Sequence, residues 1–255
     1  MYDRLLEQPP PGLAVDEIIA HFQAMPPRYW ERVTEEGLLW GLNVIHKFLQ
    51  NVSTPSAIAP VLDWKQYPER GFTKVMLCTW DRLGLLSKVA SAFSAVRVNI
   101  LSAEAYTRAD NIILDVFRVC DENGQAVANP DRFQQTLFLL EGSLSEPPRF
   151  ASIWANSRHK IEKRKAPAVL DISFDNRTLK EHTILFIETN DRLGLLSDIL
   201  EALTLCNLNV AQAIIETDQT LARDSFYLTG SDHKKIEDES ALKKIETSVA
   251  LAIRG

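Results

Sequence analysis

The sequence predicts an α+β chain in which one small strand–helix module is written twice behind a helical N-terminal region. Three observations carry this. First, "DRLGLLSKV" at 81–89 returns as "DRLGLLSDI" at 191–199, with seven of nine residues identical and the two aspartates 110 positions apart. Such self-similarity at fixed spacing marks a repeated structural unit. Second, each copy follows a short apolar, β-branched run and precedes apolar residues at helical spacing. Third, residues 1–70 lack the repeat and carry helical periodicity of their own.

In the N-terminal region, "LAVDEIIAHFQAM" (13–25) and "TEEGLLWGLNVIHKFL" (34–49) read as amphipathic helices, with Thr34 as an N-cap. "MPPRYW" (25–30) reads as a break between them, because proline disfavours helix at itself and at the residue before it. "STPSAIAPVLDW" (53–64) reads as a linker.

The repeats align outward from the shared turn. "TKVMLCTW" (73–80) and "HTILFIETN" (182–190) are the first strands. Leu85, Leu86, Val89 and Phe93, and likewise Leu195, Leu196, Ile199 and Leu203, line one face of the helix that follows. "VNILSAEAYT" (98–107) and "LNVAQAIIET" (208–217) are second strands, with Asn99 over Asn209. "DVFRV" (115–119) and "DSFYLT" (224–229) are third strands, after a one-residue slip. A second helix follows in each copy. Asn129-Pro130 opens it ahead of Phe133, Leu137 and Leu140 in the first copy. Asp238 or Ser240 caps it ahead of Leu242, Ile245 and Val249 in the second. A closing strand from "FASIWAN" (150–156) completes βαββαβ, the ferredoxin-like split βαβ order, in the first copy. The second copy has little room for one before Gly255, and "AVLDISF" (168–174) reads as an extra strand leading into it. The expected division is a helical region and linker over 1–70, a first module over 71–156, a linker over 157–179 and a second module over 180–255.

Composition narrows the function classes. The 255 residues are 45% hydrophobic and 24% charged, ordinary for a globular chain, with a net charge of -6. That balance does not supply a general nucleic-acid grip, which needs clustered cations. The local basic run "RHKIEKRK" (158–165) reads as a solvated linker. Cys78, Cys120 and Cys206 lie far apart in apolar settings, without metal-ligand spacing, and read as free thiols. The acidic, proline-rich start is unlike a signal peptide, and no apolar run reaches the roughly 18 residues of a membrane span. The expectation is a cytoplasmic protein with no membrane and no nucleic-acid partner.

The repeated turn carries the one chemical signal. A helix start presents unpaired amides that attract a carboxylate. Gly84 and Gly194 admit a ligand close to the backbone, and Asp81 and Asp191 suit an ammonium group. Together they match the two charged ends of a free α-amino acid. The alternative is that each aspartate only starts a helix. Catalytic signals are absent: His21, His46, His159, His182 and His233 are scattered and none precedes an aspartate. No Asp-x-Asp pair, phosphate loop or Gly-x-Ser-x-Gly elbow occurs, and no cofactor is implied.

A strand, then Asp-Arg-x-Gly-Leu-Leu opening a helix, then an asparagine in the next strand resembles the ACT domain. This is a small regulatory module that commonly binds amino acids. "ISFDNRTLKEHTILFIETNDRLGLLSDIL" (172–200) and "HFQAMPPRYW" (21–30) are similar to the tandem ACT region of the bifunctional uridylyltransferase/uridylyl-removing family. In that family the ACT pair senses glutamine and switches two catalytic domains. The resemblance implies ligand residues at Asp81, Arg82, Gly84 and Leu85 with Asn99 and Ile100. It implies Asp191, Arg192, Gly194 and Leu195 with Asn209 and Val210 in the second copy. The usual proline before the glycine is Leu83 and Leu193 here. The family's nucleotidyltransferase and His-Asp hydrolase motifs do not occur in these residues, so a non-catalytic amino-acid sensor in nitrogen signalling is expected. The alternative is an interaction module that docks a partner protein or a separate catalytic chain. A homodimer is consistent with sheet edges left to pair.

Overall fold

The computed structural model describes residues 2–52, 59–82, 84–145, 169–218 and 220–254. Four N-terminal helices come first: α1 (Tyr2–Glu7), α2 (Val15–Ala24), α3 (Pro27–Arg32) and α4 (Glu35–Val52). The first copy follows as β1 (Val61–Tyr67), β2 (Phe72–Trp80), α5 (Leu85–Ala95), β3 (Asn99–Glu104), β4 (Ile112–Cys120) and α6 (Asp131–Ser145). The second is β5 (Val169–Asp175), β6 (Thr183–Asn190), α7 (Leu195–Leu205), β7 (Asn209–Asp218), β8 (Leu221–Thr229) and α8 (Glu239–Arg254). The hydrogen-bonded strand order is β1-β2-β4-β3-β7-β8-β6-β5. Among the described residues no helix is long and apolar enough to cross a membrane.

Among the described residues both copies therefore read ββαββα. The ferredoxin-like sheet is present, but its fourth strand comes from the front of each copy. β1 lies beside β2 and β5 beside β6, the place a closing strand fills in βαββαβ. A hairpin and a crossover both deliver an antiparallel neighbour to that edge, so the sheet is the same with the connection permuted. "AVLDISF" forms β5 as expected. The segment read as a linker ends in β1, which is a correction: the run from Val61 pairs as a strand. "FASIWAN" and "RHKIEKRK" fall outside the described residues.

Two compact units divide the chain, one of residues 1–65, 75–81 and 105–116, the other of residues 66–74, 82–104 and 117–255. In the first, Ile18, Leu38, Val44 and Phe48 are fully buried and pack in one core with Met76 and Cys78 of β2 and Ile112 and Leu114 of β4. This explains the unbroken run in "KVMLCT": a strand covered on both faces needs no alternation. Thr34 caps α4 as expected, its Oγ1 accepting from the Gly37 amide at 3.1 Å. Gly41 is a close-approach residue, since a Cβ there would lie 3.0 Å from Leu114 and 3.2 Å from the Tyr29 hydroxyl. The expected break at "MPPRYW" instead holds the short helix α3, with Pro27 at its first position, where a missing N–H costs nothing.

In the second unit, β5, β6, β8 and β7 pair antiparallel, with Asn190 opposite Leu221 and Asn209 opposite Thr229, and with register shifts at Val169/Asp171 and Val210/Gln212. β6 alternates as a strand with one solvated face does, leaving Phe186 40% exposed. β3 pairs antiparallel with β7 at Glu104 and Ile214, so two edge strands join the copies. α5 and α7 meet at a buried hydroxyl pair, Ser91 and Ser197, 2.8 Å apart. Asn129 and Asp238 cap α6 and α8 through the amides of Asp131 and Ser240. Arg97 and Asn207 end α5 and α7 in the left-handed conformation, at positions 110 apart. Cys78 and Cys120 are buried free thiols, and Cys206 is half-buried.

Candidate functional site

The two turns share an amide contact and a glycine conformation. The Asp191 amide donates to Thr220 O at 2.7 Å, and the Asp81 amide donates to Asn111 O at 2.7 Å. Gly194 and Gly84 are the N-caps, at φ +83° and +72°, a left-handed conformation that disfavours any residue with a Cβ. Neither helix start has a side-chain cap, so the aspartates, three residues earlier, do not act as N-caps. The first amides of α5 and α7, those of Leu85 and Leu195, donate to Arg82 O and Arg192 O at 3.1 Å, so a ligand anion would have to use the amides that follow them.

The Asp191 carboxylate is instead engaged by the other copy. Asn99 Nδ2 donates to Asp191 Oδ2 at 2.9 Å. The β3–β7 pairing brings this about, because its register runs the start of β3 toward the end of β7, next to Thr220 and the turn. Asn209, at the start of β7, is at the far end of its own sheet from Asp191. It lines an open cavity of about 560 Å³ with Lys180, His182, Thr229, His233 and Lys234. So the second turn is joined by the asparagine of the first copy and not by its own. Burial raises the Asp191 pKa, and the Asn99 and Arg192 N–H groups work against that rise.

The arginines of the turns have a structural task. Arg82 Nη1 donates to Leu144 O at 2.8 Å, at the end of α6. Arg192 Nη2 donates to Ala252 O and Ile253 O at 3.1 and 3.3 Å, at the end of α8, and pairs with Asp198 at 2.6 Å. Each guanidinium satisfies last-turn carbonyls and sits at the negative end of a helix dipole. Arg192→Met is therefore expected to cost about 1–3 kcal/mol, as for a charge-assisted hydrogen bond lost from half-buried groups, and urea unfolding measures it. Leu85, Leu195 and Ile100 are core residues at 5%, 2% and 6% exposure, and Val210 is half-buried.

Two functional candidates were missed by the sequence reading. Asp115 on β4 and Asp224 on β8 are each 3% exposed. Burial pushes the Asp115 carboxyl up to about 8, the Asp81 charge adds to the rise, and the Tyr106 amide, donating to its Oδ1 at 3.1 Å, opposes it. Burial likewise pushes Asp224 up to about 8, with the Asp191 and Glu216 charges adding and the Glu216 amide opposing. Each copy thus holds a buried carboxyl whose protonated form burial favours, with its own turn aspartate adding to the rise. The signal was available: in "LARDSFYLT", Asp224 shares period-2 parity with Ala222, Phe226 and Leu228, the buried face.

Comparison with known proteins agrees with this architecture. Residues 171–254 match the family model for the ACR9-like, ACT-like domain. The chain is 30% identical over 249 residues to the bifunctional uridylyltransferase/uridylyl-removing enzyme of Ruegeria pomeroyi, covering 96% of this chain and 26% of that enzyme. The enzyme of that name from Rhodospirillum rubrum is 31% identical over 197 residues, covering 73% of this chain and 20% of its own. That from Cereibacter sphaeroides is 26% identical over 252 residues, covering 98% and 26%. The chain thus spans about a quarter of the length of the relatives it matches most fully. By its duplicated turn, joined edge strands and paired helices, and by these similarities, the chain is a tandem pair of ACT-like modules that resembles the regulatory region of the bifunctional uridylyltransferase/uridylyl-removing enzymes.

Proposed function

We propose that this chain is a non-catalytic regulatory module that senses a free amino acid, glutamine by family resemblance, in nitrogen-status signalling. The observation that carries the reading is the Asn99–Asp191 pair, polar groups of two copies meeting at 2.9 Å beside a glycine helix start. A ligand ammonium at Asp191 and a ligand carboxylate at the α7 amides that follow Leu195 would use the groups on offer, and Asn99 adds a donor and an acceptor. Because Asn99 comes from the other copy, occupancy bears on how tightly β3 and β7 are held together. A ligand shifts such an equilibrium only by its differential affinity for the two states.

The test is a thermal-shift and calorimetry panel of the common amino acids on the full chain. At a hundredfold excess over Kd the ligand adds about 2.7 kcal/mol, which raises Tm by roughly 5–10 °C for a chain of this size. Asp191→Ala is expected to weaken glutamine binding at least tenfold. A panel without any shift sinks the sensor reading. It would favour a partner-docking module instead, to which the exposed Phe138 on α6, Leu205 on α7 and Leu251 on α8 (75%, 75% and 63%) lend apolar surface.

A further inference from the structure

The cavity of about 560 Å³ beside Asn209 lies at the end of the second copy's sheet away from Asp191. Thr183 opposite Leu228 and Asn209 opposite Thr229 mark this end, and Asn190 opposite Leu221 marks the other. The eight residues of β6 set the two ends roughly 25 Å apart. The cavity is therefore a different place from the Asp191 turn.

Its walls are held by a hydrogen-bond network. Thr183 Oγ1 donates to Asn176 Oδ1 at 2.7 Å and accepts from the Ile236 amide at 3.1 Å. Asn176 Nδ2 donates to Ile236 O at 2.8 Å. The Lys235 ammonium donates to Asn176 O and, at 2.6 Å, to Leu179 O. These bonds clamp the loop before β6, which carries Lys180 and His182, to the loop after β8, which carries His233 and Lys234. In the second loop the Gly230 amide donates to Lys234 O at 2.8 Å, and His233 holds φ +60°. A preformed pocket of roughly 300–1,000 Å³ with a few convergent polar groups is the usual form of a small-ligand site.

The chemistry of the wall favours an anion. Its three lysines against Glu181 and Glu237 leave one positive charge before either imidazole is counted, in a chain of net charge -6. His182, His233 and Asn209 add N–H donors. Among the described residues no three His, Cys, Asp or Glu side chains converge to hold a metal ion. The described lining holds no Phe, Tyr or Trp face on which a base could stack. Thr229, also in the wall, is 4% exposed, and its Oγ1 has no hydrogen-bond partner among the described residues. An unpaired buried hydroxyl carries a cost that a guest can relieve. Rotation about χ1 exchanges it with the methyl group in the same volume.

We propose that this cavity binds a small multivalent oxyanion, through Lys180, Lys234, His182, His233 and Asn209, with the Thr229 hydroxyl as its buried donor. Phosphoryl and carboxylate oxygens share this chemistry. The site does not depend on the amino-acid reading above.

Isothermal titration of the full chain with pyrophosphate and with citrate, at about 0.15 M salt, tests this. Saturable binding of one ion per chain is expected, and the tighter of the two assigns the oxyanion type. Lys180→Met combined with Lys234→Met should weaken binding about tenfold or more, and Glu237→Gln should tighten it. Thr229→Val should weaken it about fivefold while melting no lower than wild type, and Thr229→Ser should restore it. Absence of binding by either anion overturns the proposal. Equal affinity of wild type and Thr229→Val also overturns it, since screened surface charge alone would then be at work. If Thr229→Val does not fold, His182→Ala decides in its place, and unchanged affinity there overturns it. Weakening by Glu237→Gln would reveal a cationic ligand and overturn it. Displacement of the anion by L-glutamine would make the cavity the amino-acid site, and overturn it as well.

Discussion

Asp224→Asn and Asp115→Asn are each expected to stabilise the protein at pH 7, by an amount on the order of 2–4 kcal/mol. Both carboxyls are buried, and both have folded-state pKa values raised from the ordinary 3.8 to about 8. The folded chain therefore favours the protonated acid, while the unfolded chain ionises from about pH 4 upward. The stability these groups contribute is complete below about pH 4. It is lost as pH rises toward 8, because the unfolded state gains by releasing a proton that the folded state keeps, and it levels off above 8. Asparagine has the same shape and no proton to lose. At position 115 its side-chain oxygen can still accept from the Tyr106 amide. Urea unfolding of wild type and variants at pH 5, 7 and 8.5 measures the effect. The gain should be small at pH 5 and largest at the top of the range. Variants less stable than wild type at pH 8.5 would show that the carboxyls ionise freely in the folded protein.

A chain shortened to begin at residue 71, the module boundary read from the sequence, is expected to lose cooperative folding of its first copy. That cut removes α1–α4 and β1 together. Met76, Cys78, Tyr106, Ile112 and Leu114, now 0–3% exposed, share their core with the helices and would be uncovered. Large apolar side chains are worth roughly 1.5–3 kcal/mol each when buried, so the loss is comparable to the whole 5–15 kcal/mol of a domain. Without β1 the β2 strand also becomes an unpaired edge, a template for association. Thermal melts and size-exclusion chromatography of residues 71–255 should show a broadened transition and aggregates. A monomer with one sharp transition would contradict the assigned role of the N-terminal helices. A chain beginning at residue 59 keeps β1 and separates the two contributions.

Much of this fold is legible in the residues themselves. The turns, the faces of α5, α7 and α8, and the caps at Thr34 and Asn129 follow from local pattern and spacing. β1 was missed because "VLDWKQY" has little alternation and follows a proline-containing stretch that reads as a linker. Which run fills the edge position beside the first strand was not legible, because a run placed before or after a module can fill the same sheet position. At the site, Asp191, Gly194 and Arg192 stand out as a motif, yet what each touches does not. Arg192 reaches carbonyls sixty residues away, and Asn99 reaches Asp191 across two copies.

The sequence by itself determined that one strand–turn–helix unit occurs twice, with glycine and aspartate at each turn. Those features depend on contacts within a few residues, where local geometry and apolar period decide the outcome. Only the tertiary structure decided which copy completes which site. The pairing of β3 with β7 joins residues 110 positions apart, and no local pattern encodes which edge strands meet. The burial of Asp115 and Asp224, and with it their protonation, is settled the same way. A carboxyl has an ordinary pKa until the packed chain removes its water.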